Sequence, residues 1–295
     1  MIDRPKGAQW ILRLLTCIRF DEVLVLQGPP LLGAAFSITQ VNSQSVWALL
    51  LLTAGNCFLV AHVFLLNDWA GIHHDLRDPS RSADVFLNRG IRRSEIEGLL
   101  LTLLALSLVL FGQLGSVTLT IGLMIAVASA LYSAPTFHMK GVPLLNSVLH
   151  LVGGLLHFLL GYSVFHGIDG RGLVIGCFFA AVFTSGHLTQ EVRDFEADSR
   201  NEIQTNAVKF GKVPSFVAGF ALFTFADALL IVLAVRGTVP RDLVLVALLY
   251  PLHFYWSLRA VREGLTSESV RRLQVRYRAL YAAIGALIVI SMPLL

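Results

Sequence analysis

The chain has 295 residues and a formal net charge of +4, with 55% of its residues apolar and 14% charged. A mean hydropathy of +0.70 excludes an ordinary soluble domain, in which about a quarter of the residues are charged. No nucleic-acid partner is expected, and the lipid bilayer is the expected surrounding.

A run of about 20 apolar residues, rising about 1.5 Å per residue, crosses the roughly 30 Å hydrocarbon core of a bilayer. Nine runs of that kind, approximately 12–40, 46–66, 96–114, 117–134, 143–165, 172–190, 214–235, 241–258 and 277–295, predict an all-α, polytopic membrane protein of nine transmembrane helices, a single domain over 1–295. The breaks between them are short, which leaves nothing over for a soluble domain. The first run opens behind Arg4, Lys6 and Arg13 and is too long for the apolar region of a cleavable signal peptide, so it is expected as a retained helix. Cys17, Cys57 and Cys177 sit inside apolar runs, which argues for packing rather than for disulfides or a thiolate metal cluster.

Orientation follows from the excess of Lys and Arg on the cytoplasmic side of membrane proteins. With nine spans, 20 of the 23 Lys and Arg fall on one face, and only Arg171, Arg236 and Arg241 on the other. The N-terminus is therefore expected in the cytoplasm, and a bacterial inner membrane suits the bias.

Polar islands interrupt this pattern in chain order. After the second run comes "NDWAGIHHDLRDPSR", residues 67–81; between the fourth and fifth, "YSAPTFHMKGVP", residues 132–143; after the sixth, "QEVRDFEADSRNEIQTNAVKFG", residues 190–211. Glu191, Asp194 and Asp198 stand at i, i+3 and i+7, one face of a continuing helix, and Asp68 and Asp75 repeat the i, i+7 relation. Four spans separate the first and last islands, so both emerge on the same face of the membrane. Two opposed carboxylate stripes need a cation between them, and oxygen ligands suit Mg²⁺, which keeps positions open for substrate phosphates. Arg77, Arg81, Lys140, Arg193 and Lys209 stand beside the stripes and suit a diphosphate through charge-assisted hydrogen bonds. Acidic residues after a single helix are often only a solvated loop, but two matched islands on one face point to a site.

Other features carry less. His187 and Glu191 stand at i, i+4 with Asp194 nearby, but the zinc-protease pattern H-E-x-x-H is absent. His62, His150 and His157 lie in helices, where a buried imidazole bonds a neighbouring helix or lines a cavity. Gly154 and Gly161 read as close helix packing, and "VRRLQVRYR", residues 270–278, as a basic cuff before the last helix.

The islands resemble the UbiA superfamily of intramembrane prenyltransferases, whose signature is N-D-x-x-D-x-x-x-D after the second helix and D-x-x-D-x-x-x-D after the sixth. Asn67, Asp68 and Asp75 match the first motif, Glu191, Asp194 and Asp198 the second, and "YSAPTFHMK" resembles the family's Y-S-x-P-P-x-x-x-K segment. The resemblance implies nine helices around a central cavity and a reaction in which a polyprenyl diphosphate, bound through Mg²⁺, loses its diphosphate and an acceptor in the membrane captures the allylic cation. It implies Asn67, Asp68, Asp75, Glu191, Asp194 and Asp198 as Mg²⁺ ligands, with Asp68, Asp194 and Asp198 the catalytic core, and Arg81, Tyr132, Lys140 and Arg193 as substrate contacts. The acceptor class is an aromatic, quinone-precursor or lipid molecule. A terpene cyclase that closes the cation internally is the alternative on the same scaffold. A transporter or channel is disfavoured, because the charges are confined to one face. Two departures stand out: Gly71 replaces the usual middle aspartate of the first motif, and Glu191 is one methylene longer than the usual aspartate of the second.

Overall fold

The computed structural model describes residues 8–76 and 85–292, with the side chains of 12–72, 76 and 85–292. Among these residues every regular element is helical: α1 Ala8–Leu15, α2 Phe20–Val25, α3 Gly28–Ser37, α4 Ser43–Asp75, α5 Arg93–Leu114, α6 Ser116–Ser133, α7 Leu145–Tyr162, α8 Gly170–Arg200, α9 Asn206–Phe210, α10 Lys212–Val235, α11 Tyr250–Arg262 and α12 Ser267–Ser291. Tight 3-10 turns occupy Met139–Gly141 and Arg241–Leu248, the latter running into α11. Eight helical segments among the described residues are long and apolar enough to cross a bilayer. They leave large apolar side chains exposed, Leu101, Val109, Val235 and Ile290 among them, as a protein solvated by lipid does and a soluble one rarely does. The chain is an integral membrane protein of the all-helical, polytopic kind.

The run expected as the first span, 12–40, is broken into α1, α2 and α3, which is why eight segments qualify rather than nine. The chain turns at Thr16–Arg19, and α3 starts afresh at Gly28-Pro29-Pro30. The prolines sit in its first turn, where no intrahelical N–H is needed.

Two compact units emerge, residues 1–28 with 47–138, and residues 29–46 with 139–295. In the first, the core is built of Leu14, Val23, Val60, Leu65, Ile72, Phe86, Ile96 and Leu100 with their neighbours. Gly55 of α4 and Gly122 of α6 both press on the Phe111 ring of α5, where an added Cβ would stand 2.7 and 2.6 Å from ring carbons. Removing that ring is expected to cost about 3–5 kcal/mol. Polar ties cross the same helices: His62 Nδ1 meets the Leu100 carbonyl at 3.0 Å, and Asn56 donates to Gln27 Oε1 at 2.9 Å.

The second unit is built on backbone contact. A Cβ at Gly161 of α7 would fall 1.7 Å from the Pro30 carbonyl oxygen of α3, and one at Gly33 of α3 2.1 Å from that of Phe158. Gly154, seven residues earlier, faces α8 instead, with Phe183 Cβ at 2.7 Å. Small residues permit such approaches, and in lipid close packing replaces the hydrophobic drive. The entry to α8 is capped by Asp169, which accepts from Gly172 N at 2.7 Å and from the Tyr162 hydroxyl at 3.1 Å. The Gly172 N–H holds the Asp169 carboxyl below the usual carboxylate range.

Candidate active site

Length places the acidic residues. At about 1.5 Å per residue the 33 residues of α4 and the 31 of α8 run roughly 45–50 Å, well past the hydrocarbon thickness. Asn67 and Asp68 stand in the last turns of α4, and Glu191, Asp194 and Asp198 in those of α8, which continues unbroken to Arg200. The expected helical face is thus formed on α8. The side chain of Asp75 lies outside the described residues, as does Arg81, so their expected roles rest on the sequence.

At the end of α4, Asp68 is forked by one guanidinium: Arg19 Nε donates to Oδ2 at 3.1 Å and Nη2 to Oδ1. The same guanidinium lies 5.9 Å from the centroid of the Phe64 ring. One position on, Trp69 donates to Glu97 Oε1 at 3.1 Å and is covered by Arg93 at 4.3 Å. This helix end is thereby fastened to α5.

At the end of α8, Arg193 makes the same kind of fork with its neighbour, Nε to Asp194 Oδ1 and Nη2 to Oδ2, both at 2.8 Å, while Nη1 donates to Gln274 Oε1 of α12 at 2.8 Å. Asp194 and Arg193 are each about one-fifth exposed, and Asp198 is buried. Glu191 stands apart. Only 4% of its side chain is exposed, and its oxygens accept from Asn146 Nδ2 at 2.6 Å, Asn206 Nδ2 at 2.9 Å and Asn206 N at 3.1 Å. His187 Nε2 lies 3.2 Å from the same carboxylate, and its ring stacks on that of His150 at 3.6 Å between centroids.

Of the other expected contacts, Lys140 sits half-buried in the turn Met139–Gly141, its carbonyl accepting from Asn146 Nδ2 at 3.2 Å. Tyr132 closes α6, half-buried. Among the described residues no three His, Cys, Asp or Glu side chains converge as a ready metal cage; Asp68 and Asp194 are met by arginines. Sequence reasoning missed Arg19, Asn146, Asn206 and Gln274. A charge amid the apolar run 12–40 is a signal for Arg19, whereas nothing local ties Asn146 to a residue 45 positions on.

The fold is thus that of a polytopic helical membrane protein in which two helices longer than the hydrocarbon core carry acidic residues in their last turns, Asp68 on α4 and Glu191, Asp194 and Asp198 on α8. The UbiA prenyltransferase family model matches residues 28–283, and the chain belongs to that family of prenyltransferases. No curated protein matches it in sequence. Among solved structures it is similar to a digeranylgeranylglyceryl phosphate synthase, at 18% identity and a TM-score of 0.74 over 97% of this chain and 99% of that one. It is similar also to a UbiA homologue from Archaeoglobus fulgidus bound to GPP and Mg²⁺, at 17% identity and a TM-score of 0.72 over 93% and 99%. A third, the apo UbiA homologue from Aeropyrum pernix K1, has 16% identity and a TM-score of 0.74 over 93% and 99%.

Proposed function

We propose that the chain, acting as a single domain, transfers a polyprenyl group from a polyprenyl diphosphate to an aromatic, quinone-precursor or lipid acceptor within the membrane, in a Mg²⁺-dependent reaction that releases diphosphate. The observation that carries this reading is the pair of acidic helix ends, on α4 and α8, each with a carboxylate already engaged by a guanidinium. A homologue of the same fold is bound to GPP and Mg²⁺, which supports the substrate class. The donor set suits that ion: Asn67, Asp68, Asp194 and Asp198 offer hard amide and carboxylate oxygens. Asp75 joins them from the first motif. When bound there, Mg²⁺ neutralises charge on the leaving diphosphate.

The remaining work falls to the chain. Arg193, Lys140 and Arg81 hold diphosphate oxygens by charge-assisted hydrogen bonds, and Tyr132 orients the substrate. The allylic C–O bond breaks with its electron pair leaving on diphosphate; the acceptor supplies the pair for the new bond and loses a proton. Apolar helix surfaces keep water from the cation. The site faces the cytoplasm of a bacterial inner membrane, with the N-terminus on the same side.

The test is pyrophosphate release by the purified protein from geranyl, farnesyl and geranylgeranyl diphosphate, with and without Mg²⁺ and a mixed acceptor extract. Release that needs both Mg²⁺ and the extract supports transfer. Release without the extract points to the cyclase, and no release from any donor overturns the reading.

A further inference from the structure

The residue at the head of the second motif, Glu191, is bound unlike Asp194, which is forked by Arg193. Both Glu191 oxygens face N–H donors, from Asn146 and Asn206. Those two asparagines are joined to each other, Asn206 Nδ2 donating to Asn146 Oδ1 at 2.8 Å and to Ser147 Oγ at 3.0 Å. Each then holds the segment that carries Lys140: Asn146 Nδ2 donates to the Lys140 carbonyl at 3.2 Å, and Asn206 Oδ1 accepts from Leu144 N at 2.7 Å. Leu144 adopts φ 65°, ψ −46°, the centre of a γ-turn closed by Leu145 N donating to the Pro143 carbonyl at 2.8 Å, a strained conformation for a residue other than glycine that persists when its surroundings support it. Its side chain is 64% exposed, so packing does not impose it. Beside the turn's own Leu145–Pro143 bond, the bond from Leu144 N to Asn206 Oδ1 ties it to the rest of the unit, and Asn206 is itself bonded to Glu191.

We propose that Glu191 is a positioning residue rather than a metal ligand, the hub that fixes the turn bearing Lys140 against α8 and α9. The inference rests on the proposed function insofar as Lys140 contacts diphosphate. The extra methylene over aspartate supplies the reach to Asn146 and Asn206 together. A carboxylate is also required over an amide: both of its oxygens accept, whereas a glutamine oxygen turned to the Asn206 N–H leaves the amide nitrogen facing Asn146 Nδ2, donor against donor. The stacked His150 and His187 close the remaining side, His150 Nδ1 meeting the Asn146 carbonyl at 2.8 Å.

Two variants of the full chain in detergent test this, Glu191→Gln and Asn206→Asp. The second keeps its shape but sets a carboxylate against Glu191, and no metal reading assigns Asn206 a role. Hydrogen exchange is followed in the segment 139–147 with neither Mg²⁺ nor substrate present. In both variants exchange at Leu144 is expected to quicken about tenfold, the worth of a hydrogen bond to a charged group. In the turnover assay both are expected to raise the KM for prenyl diphosphate more than they lower kcat, with the half-saturating Mg²⁺ unchanged. Unaltered exchange in both, or a shifted Mg²⁺ requirement in Glu191→Gln with Asn206→Asp silent, overturns the proposal. If the native protein turns over no prenyl diphosphate, the proposed function fails, and exchange at Leu144 still decides whether Glu191 anchors the turn.

Discussion

The ends of α4 and α8 share an acidic i, i+7 relation but hold their acids differently. At α4, Asp68 is 21% exposed and takes its guanidinium from Arg19, 49 positions earlier and 47% exposed. At α8, Asp194 takes its guanidinium from the adjacent residue, itself steadied by Gln274, while Glu191 one turn back is sunk in a closed amide network. A shared motif therefore does not mean shared work: one end is a solvated ion pair, the other a buried scaffold with an ion pair at its rim. Solvated pairs are screened and contribute little to stability, whereas a carboxylate buried with every oxygen engaged is costly to disturb.

The largest effect expected is at α8. Asp194→Asn and Asp198→Asn each lower pyrophosphate release by about 10²–10³ fold, the usual cost of losing one group that stabilises developing charge, while leaving a folded, extractable protein. Unaltered release in both would remove α8 from the site. At α4, Arg19→Gln is expected to lower release about tenfold by freeing the Asp68 carboxylate, yet to change stability by less than about 1 kcal/mol. High salt reproduces part of the loss in the native protein if the pair is as exposed as its geometry indicates. A smaller change is expected from Gly71→Asp, which restores the family's middle aspartate to the first motif: the half-saturating Mg²⁺ falls a few-fold. No change there would mean that the α4 end functions without that ligand.

The smallest effect belongs to an exposed cluster at the junction of α11 and α12. Glu263 accepts from Arg259 at 2.7 Å and from Arg272 at 2.6 Å, and these guanidiniums, Arg259 first, hold its carboxyl below the usual range. A lowered folded-state pKa gives stability that is present above the unfolded value and lost as pH falls through the folded one. Glu263→Gln therefore flattens the acid limb of thermal stability slightly and leaves pyrophosphate release at neutral pH unchanged. A loss of release would show that this cluster, and not Gln274 of α12 alone, bears on the chemistry.

Much of the architecture is legible without coordinates. Hydropathy marks the long helices from α4 to α12, and the spacing of Glu191, Asp194 and Asp198 requires a helix that α8 provides to Arg200. The run 12–40 misleads, since its mean hydropathy hides the Pro29-Pro30 start of α3 and the turn before Arg19. Glu191 misleads differently. Its place in a motif indicates a metal ligand, and only the side chains that surround it, Asn146 and Asn206, point to another role.

What the sequence alone determined is the set of membrane-crossing runs, the polar islands and their spacing, because hydrophobic length and helical periodicity are properties of neighbouring residues. What the tertiary structure decided is which partner each acid takes. Asp68 meets Arg19 across 49 positions, and Glu191 meets Asn146 across 45 and Asn206 across 15. Those pairings depend on how helices pack, and a hydrogen bond acts over about 3 Å whatever distance in sequence separates its ends.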